Sequence, residues 1–201
     1  IIQTRPTIVI DIHNDWQNSI PYVAIDTDPG PAHREVYEQT RWFAQETGFL
    51  VVMDTDEIQH TLSDSLIHYG VPALTIELGE SYVINELNVD YGVRSIQSIL
   101  ADLGMIEHNQ EPFYHPTARE FEGKILIYSQ QPVSSSSGII RLLIKPGVHI
   151  RKGQPFARIY NPFGKVQETL LAREDGIVLG HSDSAVAFPG VGVTAFGEVK
   201  D

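Results

Sequence analysis

Residues 7–14 read Thr7-Ile8-Val9-Ile10-Asp11-Ile12-His13-Asn14, and this short stretch decides how the first half of the chain is to be read. A strand wetted on one face alternates apolar and polar positions, whereas a strand covered on both faces need not. Ile8, Val9, Ile10 and Ile12 crowd residues 7–12 without that alternation. Residues 7–12 are therefore expected to form an interior strand, giving way to the polar segment 14–19.

The pattern repeats outward. Pro29 and Pro31 punctuate a loop, and residues 33–47 read as a helix stopped by Gly48, with Val36, Phe43 and Ala44 on one face and Trp42 nearby. Residues 49–53 form a second apolar run. Asp56 or Thr61 caps the next helix, which carries Leu62, Leu66 and Ile67 and ends at Gly70. Residues 73–78 are a third strand, and residues 88–103 an amphipathic helix bearing Val89, Val93, Ile96, Ile99 and Leu100. Strands separated by helices of this length predict right-handed crossovers and a mostly parallel α/β sheet.

The second half differs. Residues 125–128, 138–144, 154–160, 165–171 and 176–179 are short β-rich runs, divided by the turn signals Pro146-Gly147, Lys152-Gly153, Asn161-Pro162-Phe163-Gly164 and Asp175-Gly176. A small all-β barrel or sandwich is expected. The charge changes in step. Residues 1–122 hold 5 Lys+Arg and 20 Asp+Glu, the remainder 9 and 6. The expected organisation is an α/β region at 1–106, a linker at 107–122 with Pro112 and Pro116, and a β-rich domain at 123–201.

With 201 residues and 42% hydrophobic side chains, the chain can bury a core of ordinary size. No apolar run reaches the roughly 20 residues of a membrane helix. The chain has no cysteine, so a disulfide framework, a thiolate metal site and a cysteine nucleophile are excluded, and any metal site must use His, Asp and Glu. An acidic net charge of −12 argues against nucleic acid as a partner. The chain opens on Ile1 with no charged leader or cleavage site, so no signal peptide is read and a cytoplasmic location is expected.

Two residues stand out chemically. His13 lies where an apolar strand ends, the position at which open α/β sheets bind ligands, so it is a candidate metal ligand. Asp11, two residues earlier, points to the same face of the strand and can orient its imidazole. Glu77 sits in Ile76-Glu77-Leu78, a carboxylate inside an apolar run. Such a group must be paired or held neutral, and it suits a general base. The pair His108/Glu111 has the H-x-x-E spacing of a metal pair but falls in the Pro-rich linker, where a chance match is preferred. His33, His60 and His68 are expected in solvated helical segments, and His115, His149 and His181 in loops or turns.

The segment Asp11-Ile12-His13-Asn14 resembles the D-L-H-[NT] motif of the succinylglutamate desuccinylase/aspartoacylase family, zinc amidohydrolases with a carboxypeptidase-like α/β fold. Gly70-Val71-Pro72-Ala73-Leu74-Thr75-Ile76-Glu77-Leu78-Gly79 is similar to that family's G-x-P-A-x-T-x-E-x-G segment. The turns at 146–154 and 159–164 resemble its C-terminal β domain, whose hairpins are like those of lipoyl and biotinyl carriers.

The resemblance implies a Zn2+ cofactor, His13 as a zinc ligand, Glu77 as the catalytic base and an N-acyl amino acid as the small-molecule substrate. The substrate-binding residues cannot be read from the sequence. The family's first two zinc ligands form an H-x-x-E pair well ahead of the D-L-H segment, and none of the 12 residues before His13 is His or Glu. The expectation is therefore a C-terminal portion of such an enzyme, inactive alone, whose missing N-terminal part, whether another chain or a segment outside these 201 residues, supplies the rest of the site. A carrier module is disfavoured because the turn Ala172-Arg173-Glu174-Asp175-Gly176 offers no lysine. A binding or regulatory protein that kept the fold and lost the metal is the alternative, and homo-oligomerisation is left open.

Overall fold

A computed structural model describes residues 1–58, 60–108, 112–182 and 184–200. In chain order its elements are β1 (Val9–His13), β2 (Asn18–Ser19), β3 (Tyr22–Ile25), α1 (Arg34–Glu46), β4 (Val51–Met53), α2 (Leu62–His68), β5 (Ala73–Glu77) and α3 (Glu86–Asp102), then β6 (Ile125–Ser129), β7 (Gly138–Leu142), β8 (His149–Ile150), β9 (Pro155–Tyr160), β10 (Val166–Leu171), β11 (Gly176–His181), β12 (Val186–Ala187) and β13 (Thr194–Glu198). They divide into two compact units. The first is Ile1–Asn14, Pro21–Leu78 and Ile84–Ile125; the second is Asp15–Ile20, Gly79–Val83 and Leu126–Asp201.

In the first unit the strands lie in the order β1-β5-β3-β4. β1 runs parallel to β5 and β3 parallel to β4, while β3 and β5 are antiparallel. The sheet is thus mostly parallel, with one reversal that the expected run of crossovers did not contain. Its cause is β3, a strand the apolar pattern left unread. Only residues 14–21 join β1 to β3, too few for the dozen or so a parallel crossover needs, so the chain returns antiparallel.

β1 is the edge strand of this sheet rather than an interior one: none of its residues is fully buried and Ile12 is half exposed, because among the described residues β1 has a strand neighbour, β5, on one side only. Helices pack on both faces of the sheet. On one, Ile8 and Ile10 join Val23, Ile25, Leu74 and Ile76 against Phe43 and Ala44 of α1 and Ile99 of α3. On the other, Val9 meets Leu66 of α2 with Val71 and Ala73. Full burial of an aliphatic side chain such as Leu74 or Ile76 contributes about 1.5–3 kcal/mol. Thr61 is the cap of α2, accepting the Asp64 N–H at 2.9 Å and donating to the buried Asp26 carboxylate at 2.7 Å. Asn85 caps α3 by accepting from Leu87 and Asn88.

The segment expected as a linker contributes to this core. Phe113 is buried there, and the His115 N–H donates to the Gly48 carbonyl at 2.8 Å. Gly48 ends α1 at φ +70°, and a Cβ on it would lie 2.1 Å from the Phe113 carbonyl oxygen. His115 lies in a loop, as expected, but is buried there, its ring edge-on to Tyr91 at 4.8 Å. Its Nδ1 accepts from the Thr117 hydroxyl at 2.7 Å. Burial holds this imidazole down at about 4.

The second unit is antiparallel throughout. One sheet runs β6-β13-β11-β2, with β8 also on β11, and the other runs β10-β9-β7-β12. Residues of both sheets, among them Phe156, Ile159, Leu170, Val178 and Phe196, share one buried core. The expected turns at Gly147, Gly153 and Gly164 all take positive φ. No helix among the described residues is long and apolar enough to cross a membrane.

Two measurements test this packing. Unfolded histidine protonates near 6.5 and folded His115 near 4, so between those values the unfolded chain binds more protons. Stability contributed by the neutral ring is complete above about pH 6.5 and falls as pH drops towards 4, by on the order of 3 kcal/mol. Urea unfolding across this range should show that slope in the wild type and a shallower one in His115→Leu; equal slopes would contradict it. Gly48→Ala should cost well over 2 kcal/mol, from the left-handed backbone together with the collision. Gly70→Ala has φ +79° but open space, and should cost only about 1–2 kcal/mol.

Candidate active site

The parallel register of β1 and β5 sets His13 opposite Glu77 and Asp11 opposite Thr75. The Leu78 N–H donates to the His13 carbonyl at 2.9 Å, extending the ladder past both residues. On its other side Glu77 is opposite Tyr22 of β3. Glu77 thus lies on a central strand, at the carboxyl ends of the two parallel strands β1 and β5.

The side chains converge on one ring. Nε2 of His13 is 3.1 Å from Asp11 Oδ2, and Nδ1 is 3.6 Å from Glu77 Oε1. The imidazole is 54% exposed, Asp11 27% and Glu77 only 12%, so the ring opens to solvent above a largely covered carboxylate. With Asp11 accepting Nε2–H, the Nδ1 lone pair faces Glu77. Two lone pairs that meet in this way repel unless a proton or a cation lies between them. The arrangement can accept a proton on Glu77 or a cation at Nδ1, and Asp11 fixes which ring nitrogen is offered.

A zinc site needs three protein ligands converging on one point. Asp11 and Glu77 lie against opposite nitrogens of the same ring, and among the described residues no group of three His, Asp or Glu could hold a metal ion. The donors are right in kind for zinc and insufficient in number, so these residues alone do not fit the ion.

The structure brings together all three residues singled out around the two motifs and leaves the other histidines elsewhere. His108 lies 3.8 Å from Asp102, while Glu111 falls outside the described residues. His33 and His68 have their rings 5.0 Å apart, and His60 takes φ +62° just ahead of α2. His149 and His181 lie on β8 and β11 rather than in turns. Tyr22 was missed as a neighbour of Glu77. Its signal was the run Pro21-Tyr22-Val23-Ala24-Ile25, whose four strand residues are all buried.

Comparison with known proteins bears on what this geometry belongs to. The model of the succinylglutamate desuccinylase/aspartoacylase catalytic domain matches residues 2–103. Among curated proteins none matches the chain in sequence. A succinylglutamate desuccinylase/aspartoacylase from Rhodobacter sphaeroides superposes with a TM-score of 0.75 at 22% identity, covering 100% of this chain and 61% of that one. The product-bound ectoine utilization protein EutE (DoeB) from Ruegeria pomeroyi gives 0.75 at 16% identity, covering 94% of this chain and 57% of that one. A succinylglutamate desuccinylase from a Silicibacter species gives 0.71 at 14%, covering 98% and 59%. These structures share the fold, and the chain spans 57–61% of their length. With half of its residues matched by the catalytic-domain model, the chain belongs to the succinylglutamate desuccinylase/aspartoacylase family.

Proposed function

We propose that this chain carries part of the hydrolytic centre of a cytoplasmic deacylase that cleaves an N-acyl amino acid, or a similar small amide, to a carboxylate and an amine. The observation that carries the reading is the meeting of His13 and Glu77 across β1 and β5, with Asp11 on the far ring nitrogen. Membership of a family of amide hydrolases supports it.

In this reading water attacks the amide carbonyl carbon, the carbon–nitrogen bond breaks, and one proton must travel from the water to the departing nitrogen. Glu77 takes that proton and delivers it, a role suited to a carboxylate kept largely from bulk water. His13 would be one of the residues holding zinc, with Asp11 against one of its ring nitrogens to orient it. When bound, zinc supplies a Lewis acid. Its further ligands, and the groups that hold the substrate carboxylate, come from polypeptide outside these 201 residues. The chain by itself is accordingly expected to be inactive.

Three outcomes test the proposal in the protein made from its full reading frame. Zinc should be present at one ion per protein; its absence would favour a binding protein that kept the fold without the metal. Glu77→Gln should retain the metal and lose about 10²–10⁴-fold in turnover, and near-wild-type turnover would refute the base assignment. In a chelator competition, His13→Ala should weaken zinc binding beyond the roughly 10–100-fold expected for Asp11→Asn. An unchanged affinity would contradict the ligand role.

A further inference from the structure

The outer face of the β10-β9-β7 sheet carries a charge arrangement that the fold does not explain. Arg141 of β7 stands directly opposite Arg158 of β9, and Arg158 opposite Thr169 of β10. The next row is Ile139, Tyr160 and Val166. Both arginines are exposed, as are Ile139 and Val166. Like charges directly opposite on neighbouring strands destabilise a sheet. Among the described residues neither arginine has an ion pair, and Arg141 has only the Tyr160 ring, at 6.0 Å. Glu168, on the same strand as Thr169, does not neutralise them: it accepts from the N–H groups of Ser135 and Ser136 and the Ser134 hydroxyl. Among the described residues, the face thus presents two adjacent guanidinium groups without an ion pair beside an apolar row.

A surface of the opposite kind occurs on α3. Glu86, Val89, Asp90 and Val93 recur at helical spacing, all exposed, with the valines 44% and 48% accessible. Asp90 reaches Arg94 only at 4.0 Å. Carboxylates one helical turn apart have Cβ atoms about 5–6 Å apart. That matches the roughly 4.5–5.5 Å between directly opposed residues of neighbouring strands. Two carboxylates and two valines therefore meet two arginines and the Ile139-Tyr160-Val166 row in both charge and spacing. Nucleic acid would suit the arginines alone, but a chain of net charge −12 repels it.

We infer that the chain self-associates, the Arg141/Arg158 sheet face of one copy docking on the Glu86/Asp90 face of α3 in a second copy. Because the two surfaces differ, the contact is heterologous. It goes beyond the hydrolytic reading and does not depend on it.

Light scattering on the protein made from its full reading frame, at low salt, should give a mass above that of the monomer, rising with concentration. It should return to the monomer near 1 M salt, where charges are screened within about 3 Å. The double variants Arg141→Glu/Arg158→Glu and Glu86→Arg/Asp90→Arg should each associate at least about 100-fold more weakly, since like charges then face each other. An equimolar mixture of the two variants should associate again, because each then offers the face the other lost. A wild-type monomer at every salt and concentration would overturn the inference, as would association that survives both reversals. So would a mixture of folded variants that stays monomeric, or an oligonucleotide that binds the wild type and is lost with the arginines.

Discussion

The parallel pairing of β1 with β5 is the constraint on which the candidate site depends. A strand has period two, so a slip of one residue would turn Glu77 to the other face of the sheet and leave His13 beside an aliphatic neighbour. The register is held by burial as much as by hydrogen bonds. Val9 is packed on one face while Ile8 and Ile10 are packed on the other, together with Leu74 and Ile76 of β5. Displacing β1 by one position would expose aliphatic groups and bury Asp11. The site is therefore a consequence of core packing, since the residues that fix the register are not the ones that carry the chemistry.

What the register produces is an imidazole flanked by carboxylates, one on each nitrogen. Asp11 lies 3.1 Å from one ring nitrogen and Glu77 3.6 Å from the other. A cation or a proton between the ring and Glu77 would satisfy both groups. The arrangement does not make a metal centre alone, because the carboxylates lie on opposite sides of the ring. A family of hydrolases whose solved members are longer than this chain accommodates both facts.

Much of this was legible in the residues, and the gaps have physical causes. The strands at β1, β4 and β5 and the helices α1 and α3 announced themselves through burial patterns and stop signals, and Thr61 behaved as a cap. Asp11, His13 and Glu77 were found because polar groups in apolar strands must be accounted for. β3 escaped notice because four residues between Pro21 and Asp26 are too few to show periodicity, and with it went Tyr22 and the antiparallel reversal. β13 was hidden for a different reason. Its sequence Thr194-Ala195-Phe196-Gly197-Glu198 contains a glycine that local pattern reads as a break, yet in the fold the glycine packs closely against Leu126, where a Cβ would lie 2.9 Å from a methyl group. The burial of His115 could not be foreseen, because only tertiary contact with Tyr91 and Thr117 distinguishes it from an exposed histidine in a loop.

The most direct test of the account is the β1–β5 register in solution. In isotope-labelled protein, nuclear Overhauser spectra should connect the His13 ring and β protons with the Glu77 γ protons, and the Asp11 β protons with the Thr75 methyl group. Contacts of His13 with Ile76 or Leu78 side chains in their place would mean the strands pair one residue out of step, and the site described here would not exist.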